Sequence, residues 1–442
     1  MTETLERRPA RQGGAGQLST LRGAALYIGA LLGPGLLLLP GLAAAEAGPA
    51  SVLAWTGLLL LSALFALVFA ALGRSFPSAG GVTGYVTAGL GERAGRATGW
   101  MFLAGVVTGA PIVCLIGAGY LTALTGGGQL ARAGVAALLL LAVLTLAARG
   151  LRTSSTAQLL LVGLLVTVVG VAVVGSARAD RAANWTPFAP HGWLAVGHAA
   201  ATLMLSFVGW EAVAPLTSRF ADPGRQLTRV VAIALGVTSV LYLGLAVATI
   251  GVLGGASTLV PLAGLLRSAV GPAGTVGAAI AAAVLTLGAT TAYINGAGAL
   301  VGSLSRSRQT GAAEAGAAAA AEAGPSRPAP RLLVAIAISG LLLITLYGLG
   351  LADAASLVAV PTALFLAVYL GCMAAAARVL RGPARWAALP AGIFVLVMLG
   401  YCGWALVIPA AVAAAVTRRG VGRRGTSPGP GQERAPGRCR SR

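Results

Sequence analysis

The sequence predicts an all-α polytopic membrane protein with about twelve transmembrane helices. Three observations carry this prediction. Hydrophobic residues make up 57% of the 442 and charged residues only 10%, which is not the balance of a soluble globular chain. Many apolar runs reach or approach the ~20 residues that span a bilayer. The basic residues are all arginines, and they lie between the apolar runs and in the tails. A net charge of +20 in that arrangement reports topology, not a nucleic-acid surface.

Apolar patterning places the spans at 20–46, 51–73, 97–123, 133–149, 155–176, 194–218, 229–254, 274–304, 331–350, 354–378, 385–401 and 403–418. The last two are short and tightly joined. With the N-terminus inside, 27 of the 31 arginines fall on inner segments. Arg132, Arg178, Arg181 and Arg267 are the four left outside. That asymmetry predicts a multi-pass protein of the cell membrane with both termini cytoplasmic. Residues 1–20 lack a cleavable signal pattern, so the first helix is expected to insert uncleaved.

The first span holds the feature that organises the chain. The run Ile28 to Pro40 is apolar enough for the bilayer centre, yet Gly33-Pro34-Gly35 interrupts it. Proline removes an amide donor and crowds the preceding turn, and glycines tolerate unusual dihedrals. Freed backbone groups in hydrocarbon are costly unless they line a cavity or meet a ligand. A break here points to a site built from main chain, with a simple packing kink as the alternative.

The other elements follow in order. The outer stretch 255–272, with Leu259, Leu262, Leu265 and Leu266, reads as a short amphipathic helix or a plain loop. Residues 311–330 form an Ala-rich stretch ending in prolines, a linker on the inner side. The tail after Arg418 is rich in Arg, Gly and Pro, a solvated segment that also fixes topology. Cys114, Cys372, Cys402 and Cys439 show no metal or disulfide spacing. His191 and His198 have no partner at ligand spacing and read as interfacial. No glycine pattern opens a strand-to-helix phosphate loop, and no nucleophile–base pair or carboxylate pair appears. No cofactor and no enzyme activity are therefore expected.

Two blocks of residues carry a family resemblance. The first is Ile28-Gly29…Gly33-Pro34-Gly35…Pro40, followed by Ala45-Glu46-Ala47-Gly48-Pro49-Ala50-Ser51, Ala54-Trp55, Phe76-Pro77-Ser78-Ala79-Gly80-Gly81, Gly99-Trp100 and Gly117-Ala118-Gly119-Tyr120-Leu121. The second is Ser206-Phe207-Val208-Gly209-Trp210-Glu211-Ala212 with Asp222-Pro223-Gly224-Arg225. Both resemble the amino acid–polyamine–organocation transporter superfamily, and most of all its bacterial branch that exports methionine and branched-chain amino acids.

The resemblance implies a LeuT-like fold of two inverted five-helix repeats, 20–176 and 194–378, with two extra helices over 385–418. A cytoplasmic tail (1–19), a linker (306–330) and a basic tail (419–442) complete this division. Gly209 with Pro215 would interrupt span six as Gly33-Pro34-Gly35 interrupts span one, a trace of the same symmetry. Proton-coupled transporters of this group often place a lysine in span five. This chain has none, and Gln158 and Thr167 are the interior polar candidates there.

The expected substrate site is Ile28, Gly29, Leu32, Gly33, Pro34 and Gly35 of span one, Ala110 of span three, and Phe207, Val208, Gly209 and Trp210 of span six. Amides at the start of span one's outer half suit a carboxylate. Unpaired carbonyls near Phe207 suit an ammonium. Phe207 and Trp210 form a wall or lid, or Trp210 packs against span ten or lipid. Thr290, Thr291 and Asn295 of span eight are further candidates. Glu211 is the one acidic residue deep in a span; it gates or couples transport, or braces the inner half-helix. The expected function is secondary transport of neutral, apolar amino acids by alternating access, directed outward. The rivals are a cationic amino-acid or polyamine exchanger and a non-transporting sensor. Expected partners are the amino acid, membrane lipid and the proton as candidate coupling ion, with no nucleic acid.

Overall fold

The computed structural model describes residues 19–76, 81–150, 155–213, 220, 223–255, 259–306 and 328–421. Pro77–Gly80, Pro215 and Asp222 lie outside them, as do most of the linker, residues 1–18 and residues 422–442.

Span one is divided. Helix α1 (Thr20–Leu31) is followed by a 3-10 turn (Pro34–Leu37) and by α2 (Leu39–Ala47). After them come α3 (Ser51–Ser75), α4 (Val82–Leu90), α5 (Glu92–Thr122), α6 (Gln129–Ala148) and α7 (Ser155–Ser176). Span six opens with α8 (Leu194–Leu203) and passes through 3-10 turns at Met204–Phe207 and Trp210–Val213. Helix α9 (Pro223–Ala248) runs into a π turn (Thr249–Leu253). Then follow α10 (Pro261–Val270), α11 (Pro272–Arg306), α12 (Pro330–Gly348), α13 (Ala354–Val379), α14 (Pro383–Tyr401) and α15 (Val407–Val421).

Among the described residues, nine helical stretches are long and apolar enough to cross a membrane. The difference from twelve runs has a physical reason. Proline and glycine cut spans one and six into pieces, and α1 and α8 are only 12 and 10 residues long. The apolar stretch Gly403–Val416 is short as well. Helix α5 starts at Glu92, five residues before the apolar run, because a helix continues through charged residues once it leaves hydrocarbon. The 74–96 connection also contains α4, which no apolar run announced; it packs on α5 and α13. The 255–272 stretch resolves in favour of a helix: α10 buries Leu262, Leu265 and Leu266.

The core is formed where α5 packs against α11 and α13, with α1, α3 and α9 closing the other side. Large apolar side chains such as Leu60, Leu138, Val240, Leu341 and Ile393 are exposed around the perimeter. Such a surface is stable only against lipid tails. One end of the bundle, here called distal because it lies away from the start of α1, is tied together by its loops. Ala50 N–H donates to Phe188 O (2.8 Å), Asn184 Nδ2 to Gly251 O (2.7 Å) and Gln129 Nε2 to Tyr347 O (2.6 Å).

Candidate functional site

The first break follows from one proline. Leu32 N–H still reaches Ile28 O at 2.7 Å, but Gly33 is extended (φ −67°, ψ 176°) and Pro34 has no N–H to give. The chain recovers through Leu36 N–H to Gly33 O and Leu38 N–H to Gly35 O, both 3.1 Å. Among the described residues, the amides of Gly33 and Gly35 have no hydrogen-bond partner. A Cβ at Gly33 would meet nothing within 4 Å. The carbonyls, by contrast, are taken: Tyr242 Oη lies 2.7 Å from Leu31 O, and Tyr120 Oη donates to Leu37 O at 2.6 Å.

The second break meets the first. After the Met204–Phe207 turn, Val208 is extended (φ −74°, ψ 132°) and Gly209 adopts φ +140°. A Cβ on Gly209 would sit 2.6 Å from Ala30 O and 3.0 Å from Ala30 C. Only glycine allows that φ and that approach together. The last turn of α1 therefore rests on the kink of span six. Ser206 Oγ lies 3.3 Å from where a Gly35 Cβ would be, is buried, and has no partner among the described residues. Tyr242 Oη is also 2.7 Å from Ser206 O, so its single proton serves the two breaks in turn.

Side chains from neighbouring helices pin the second break. Glu211 folds back so that Oε2 accepts from Gly209 N–H (2.9 Å) and from Tyr369 Oη of α13 (2.6 Å). Tyr369 Oη also faces the amides of Gly209 (3.1 Å) and Trp210 (3.2 Å) and the carbonyl of Phe207 (3.3 Å). Trp210 is wholly buried: its Nε1 donates to Ser62 Oγ of α3 at 2.7 Å and its ring packs on Tyr27. That geometry removes lipid as its neighbour. Phe207 joins Trp55 and Tyr242 in an aromatic cluster with ring centroids 5.0–6.0 Å apart.

The remaining expected residues divide. Ile28, Leu32 and Val208 are buried beside the breaks. Gly29 faces α7, where a Cβ would be 2.7 Å from Val162 Cγ2. Ala110 is buried on α5, but its neighbours Gly109 and Pro111 face Pro361 of α13 and Gly340 of α12. Thr290 and Thr291 are buried on α11, which touches the Pro34–Leu37 turn, and their hydroxyls have no partner among the described residues. Asn295, one helical turn on, is half-buried. Thr167 is not interior. It sits on the exposed face of α7 and bonds back to Gly163 O at 2.8 Å, while Gln158 is half-buried near Gly29. The carbonyls of Ser206 and Phe207, expected to be unpaired, each face a tyrosine hydroxyl. Tyr27, Ser62, Tyr120, Tyr242 and Tyr369 were not foreseen. Their one signal was a phenol or hydroxyl within an apolar run, which must find a partner there. His191 Nδ1 lies 3.0 Å from Glu46 O and His198 packs edge-on against Tyr401. Among the described residues no group of His, Cys, Asp and Glu could hold a metal.

Spans one and six are thus both broken, and they meet at their breaks. The fold matches the crystal structure of MhsT in complex with L-phenylalanine, at a TM-score of 0.59 and 17% identity, covering 91% of this chain and 100% of that one. This likeness gives the LeuT-type fold. The profile of the family described as amino acid permease matches residues 18–418. The chain belongs to the amino acid permease family. The permease is 32% identical over 402 residues to the uncharacterized amino acid permease YecA of Bacillus subtilis, covering 90% of this chain and 94% of that protein. It is 37% identical over 224 residues to the L-methionine/branched-chain amino acid exporter YjeH of Escherichia coli, covering 50% and 52% of the two chains. It is thus a multi-pass membrane transporter of the amino acid–polyamine–organocation superfamily, not an enzyme.

Proposed function

We propose that the permease exports neutral, apolar amino acids by alternating access, with the substrate held where the two breaks cross. The observation that carries this reading is the pair of unpartnered amides at Gly33 and Gly35, at the start of span one's second half, with open space at Gly33 and the Ser206 hydroxyl beside Gly35. They and the positive end of the helix dipole take the carboxylate. The carbonyls of Ser206 and Phe207 keep a second lone pair for the ammonium, and the free hydroxyls of Ser206, Thr290 and Thr291 lie on elements that touch the break. Ile28, Leu32, Val208 and Gly209 form the walls. Phe207 and Trp210, with Trp55, face the side chain. Gly29 is left out of this lining because its surroundings point to α7.

Apart from Glu211, whose Oε2 is already occupied, this lining carries no charge. A leucine- or methionine-sized side chain buries there without stranding one, and the name of the relative YjeH points the same way. In this reading residues 20–176 and 194–378 are the two repeats that rock against each other, with 385–418 outside them. The distal end faces out, and the arginine-rich end, with both termini, faces the cytoplasm. Single cysteines at Ser307 and Ser427 in a cysteine-free background should resist a membrane-impermeant thiol reagent in intact cells; labelling of either reverses the orientation. Counterflow in proteoliposomes tests the substrate. Leucine, isoleucine, valine and methionine should compete better than arginine or putrescine, and the reverse ranking moves the protein to the exchanger class. Imposed proton and sodium gradients in the same vesicles identify the driving ion.

A further inference from the structure

The distal halves of the two broken spans, α2 and α8, pack side by side. A carboxylate joins them: Glu46, in the last turn of α2, accepts at Oε2 from Thr202 Oγ1 of α8 at 3.2 Å. His198 stands one helical turn before Thr202 on α8, close enough to act on the carboxylate electrostatically. His191, from the connection before α8, places Nδ1 3.0 Å from Glu46 O. Glu46 is half-buried and both histidines are exposed, so the cluster opens at the protein surface.

The other neighbours of α2 bring no countercharge to Glu46. Helices α3 and α9 carry charge only at their far ends, as Arg74, Arg225 and Arg229, and the one tyrosine of α9, Tyr242, serves the two breaks. Beside the π turn stand Asp180, which accepts from Trp185 Nε1 at 3.2 Å, and Arg181, whose amide donates to Gly251 O at 2.9 Å. Tyr401 of α14 packs on the ring of His198. Among the described residues Glu46 has no ion pair. Nor is it a cap, as Asp353 is at the start of α13, because the last turn of a helix suits a cation. An ionisable group in a membrane span without a structural partner of opposite charge is a candidate for function.

Glu46 and Glu211 are the acidic residues of spans one and six, and they differ in what a proton would disturb. Glu211 Oε2 holds Gly209 N–H and Tyr369 Oη together, and a backbone N–H cannot reverse its role. Glu46 faces a hydroxyl, which donates to the ionised carboxylate and accepts from the protonated one. It can therefore change state in place without stranding a polar group. The charge-assisted form of such a bond is about twice as strong as the neutral form, so protonation loosens α8 from α2. We propose that Glu46, with Thr202 and His198, is a proton-binding site on the outer side of the permease, and that its occupancy sets the rate of transport by changing how firmly the two outer half-helices hold together. This deepens the transport reading and rests on it, including the orientation in which the distal end faces out.

The test is the pH profile of leucine counterflow by the full-length permease. The rate should change about threefold or more between about pH 4 and pH 8, a range that covers the ordinary values of a carboxylate and a histidine. Glu46→Gln keeps an acceptor for Thr202 and should lose about half of that change or more. Glu46→Asp and Thr202→Val leave a titrating carboxyl in altered surroundings, and each should displace the midpoint while keeping the amplitude. In right-side-out membrane vesicles, varying the outer pH alone should reproduce the profile. A pH-difference infrared spectrum of the purified protein gives a readout free of transport: a protonated-carboxyl band of the wild type should be missing from Glu46→Gln. The inference is overturned if the wild-type profile is flat, if Glu46→Gln keeps the wild-type profile, or if the infrared spectra of the two are alike. Control by the inner pH alone, with Ser307 and Ser427 still shielded from outside, overturns it as well. Should Glu46→Gln fail to fold, unmoved midpoints in Glu46→Asp and Thr202→Val overturn it in its place. Failure of leucine counterflow with the infrared difference intact counts against the transport reading alone.

Discussion

The two breaks interrupt their spans by different means. The first is local: Pro34 cannot donate, Gly33 extends, and the amides of Gly33 and Gly35 face no partner among the described residues. The second is imposed from outside. Gly209 is held at φ +140° against Ala30, and Tyr369, Tyr242, Glu211 and Ser62 take up its backbone groups and the Trp210 indole, with the Ser206 hydroxyl left over. A break that leaves donors free can bind. A break whose backbone groups are already paired can act as the joint that carries the first. The comparison teaches that chain interruption alone does not define a site; what occupies the freed groups does.

The sharpest way to break this comparison is an alanine at each glycine. Gly209→Ala places Cβ 2.6 Å from a backbone oxygen and strains φ. Together these should cost about 3 kcal/mol or more, seen as a large fall in melting temperature and in folded yield by size exclusion. Gly33→Ala meets open space at an ordinary φ of −67°. It should be neutral or gain about 0.4–1 kcal/mol by restricting the unfolded chain. Equal losses at the two positions would mean that the first break is packed as tightly as the second.

The next effect tests the pinning. Tyr369→Phe removes the hydroxyl that serves Glu211, the Gly209 and Trp210 amides and the Phe207 carbonyl. Leaving buried polar groups short of a partner costs ~1–3 kcal/mol, so a clear drop in melting temperature and loss of counterflow are expected. Glu211→Gln keeps an acceptor for both donors and loses only the charge assistance, a difference of about 1 kcal/mol. Because Oε2 is committed to the break, transport by this variant should keep its pH profile while stability falls. A lost pH dependence with binding intact would make Glu211 a coupling residue instead of a brace.

This contrast also explains what could be read from the residues. Pro34 between two glycines announces its break wherever it stands, because proline's missing donor is a property of the residue itself. The break at Gly209 could be placed only with the surrounding motif, since the residues that stabilise it come from α1, α3, α9 and α13. Single tyrosines such as Tyr120, Tyr242 and Tyr369 leave no periodic mark, so their bonds to the two breaks were invisible. Thr167 was misplaced for the same reason: an unbroken apolar helix does not say which face meets lipid, and its hydroxyl can bond its own turn.

A smaller effect on stability carries the functional side of the comparison. Gly35→Val would bring Cβ to 3.1 Å from Leu39 Cδ1 and 3.3 Å from Ser206 Oγ. Both neighbours are side-chain atoms that can shift, so the loss should stay near the low end of overpacking, about 1 kcal/mol. Recognition should suffer far more, because the methyl groups fill the approach to the free amides. Ligand-induced thermal shift by leucine should vanish in a variant that still folds. Normal binding and counterflow by Gly35→Val would remove the main-chain site from the first break.

The smallest effect lies away from both breaks, at the distal end, and serves as the baseline for the others. Asp353 caps α13 by accepting from Ser356 N–H at 3.0 Å, and its hydrogen bonds to Ser356 hold its carboxyl below the ordinary range. A lowered folded-state value means that its contribution is fully present above the ordinary aspartate pKa, near 4. It is lost as pH falls through the lower folded value. Asp353→Asn keeps the cap, since asparagine serves as well as aspartate at that position. The residue is exposed, so solvent screens the charge term and the change at neutral pH should be no more than about a few tenths of a kcal/mol. The melting temperatures of wild type and variant should converge below pH 4, where the wild-type carboxyl is itself being protonated. A loss as large as that of Tyr369→Phe would show that the distal cap of α13 governs the position of Tyr369, and the pinning of the second break would then begin at the far end of that helix.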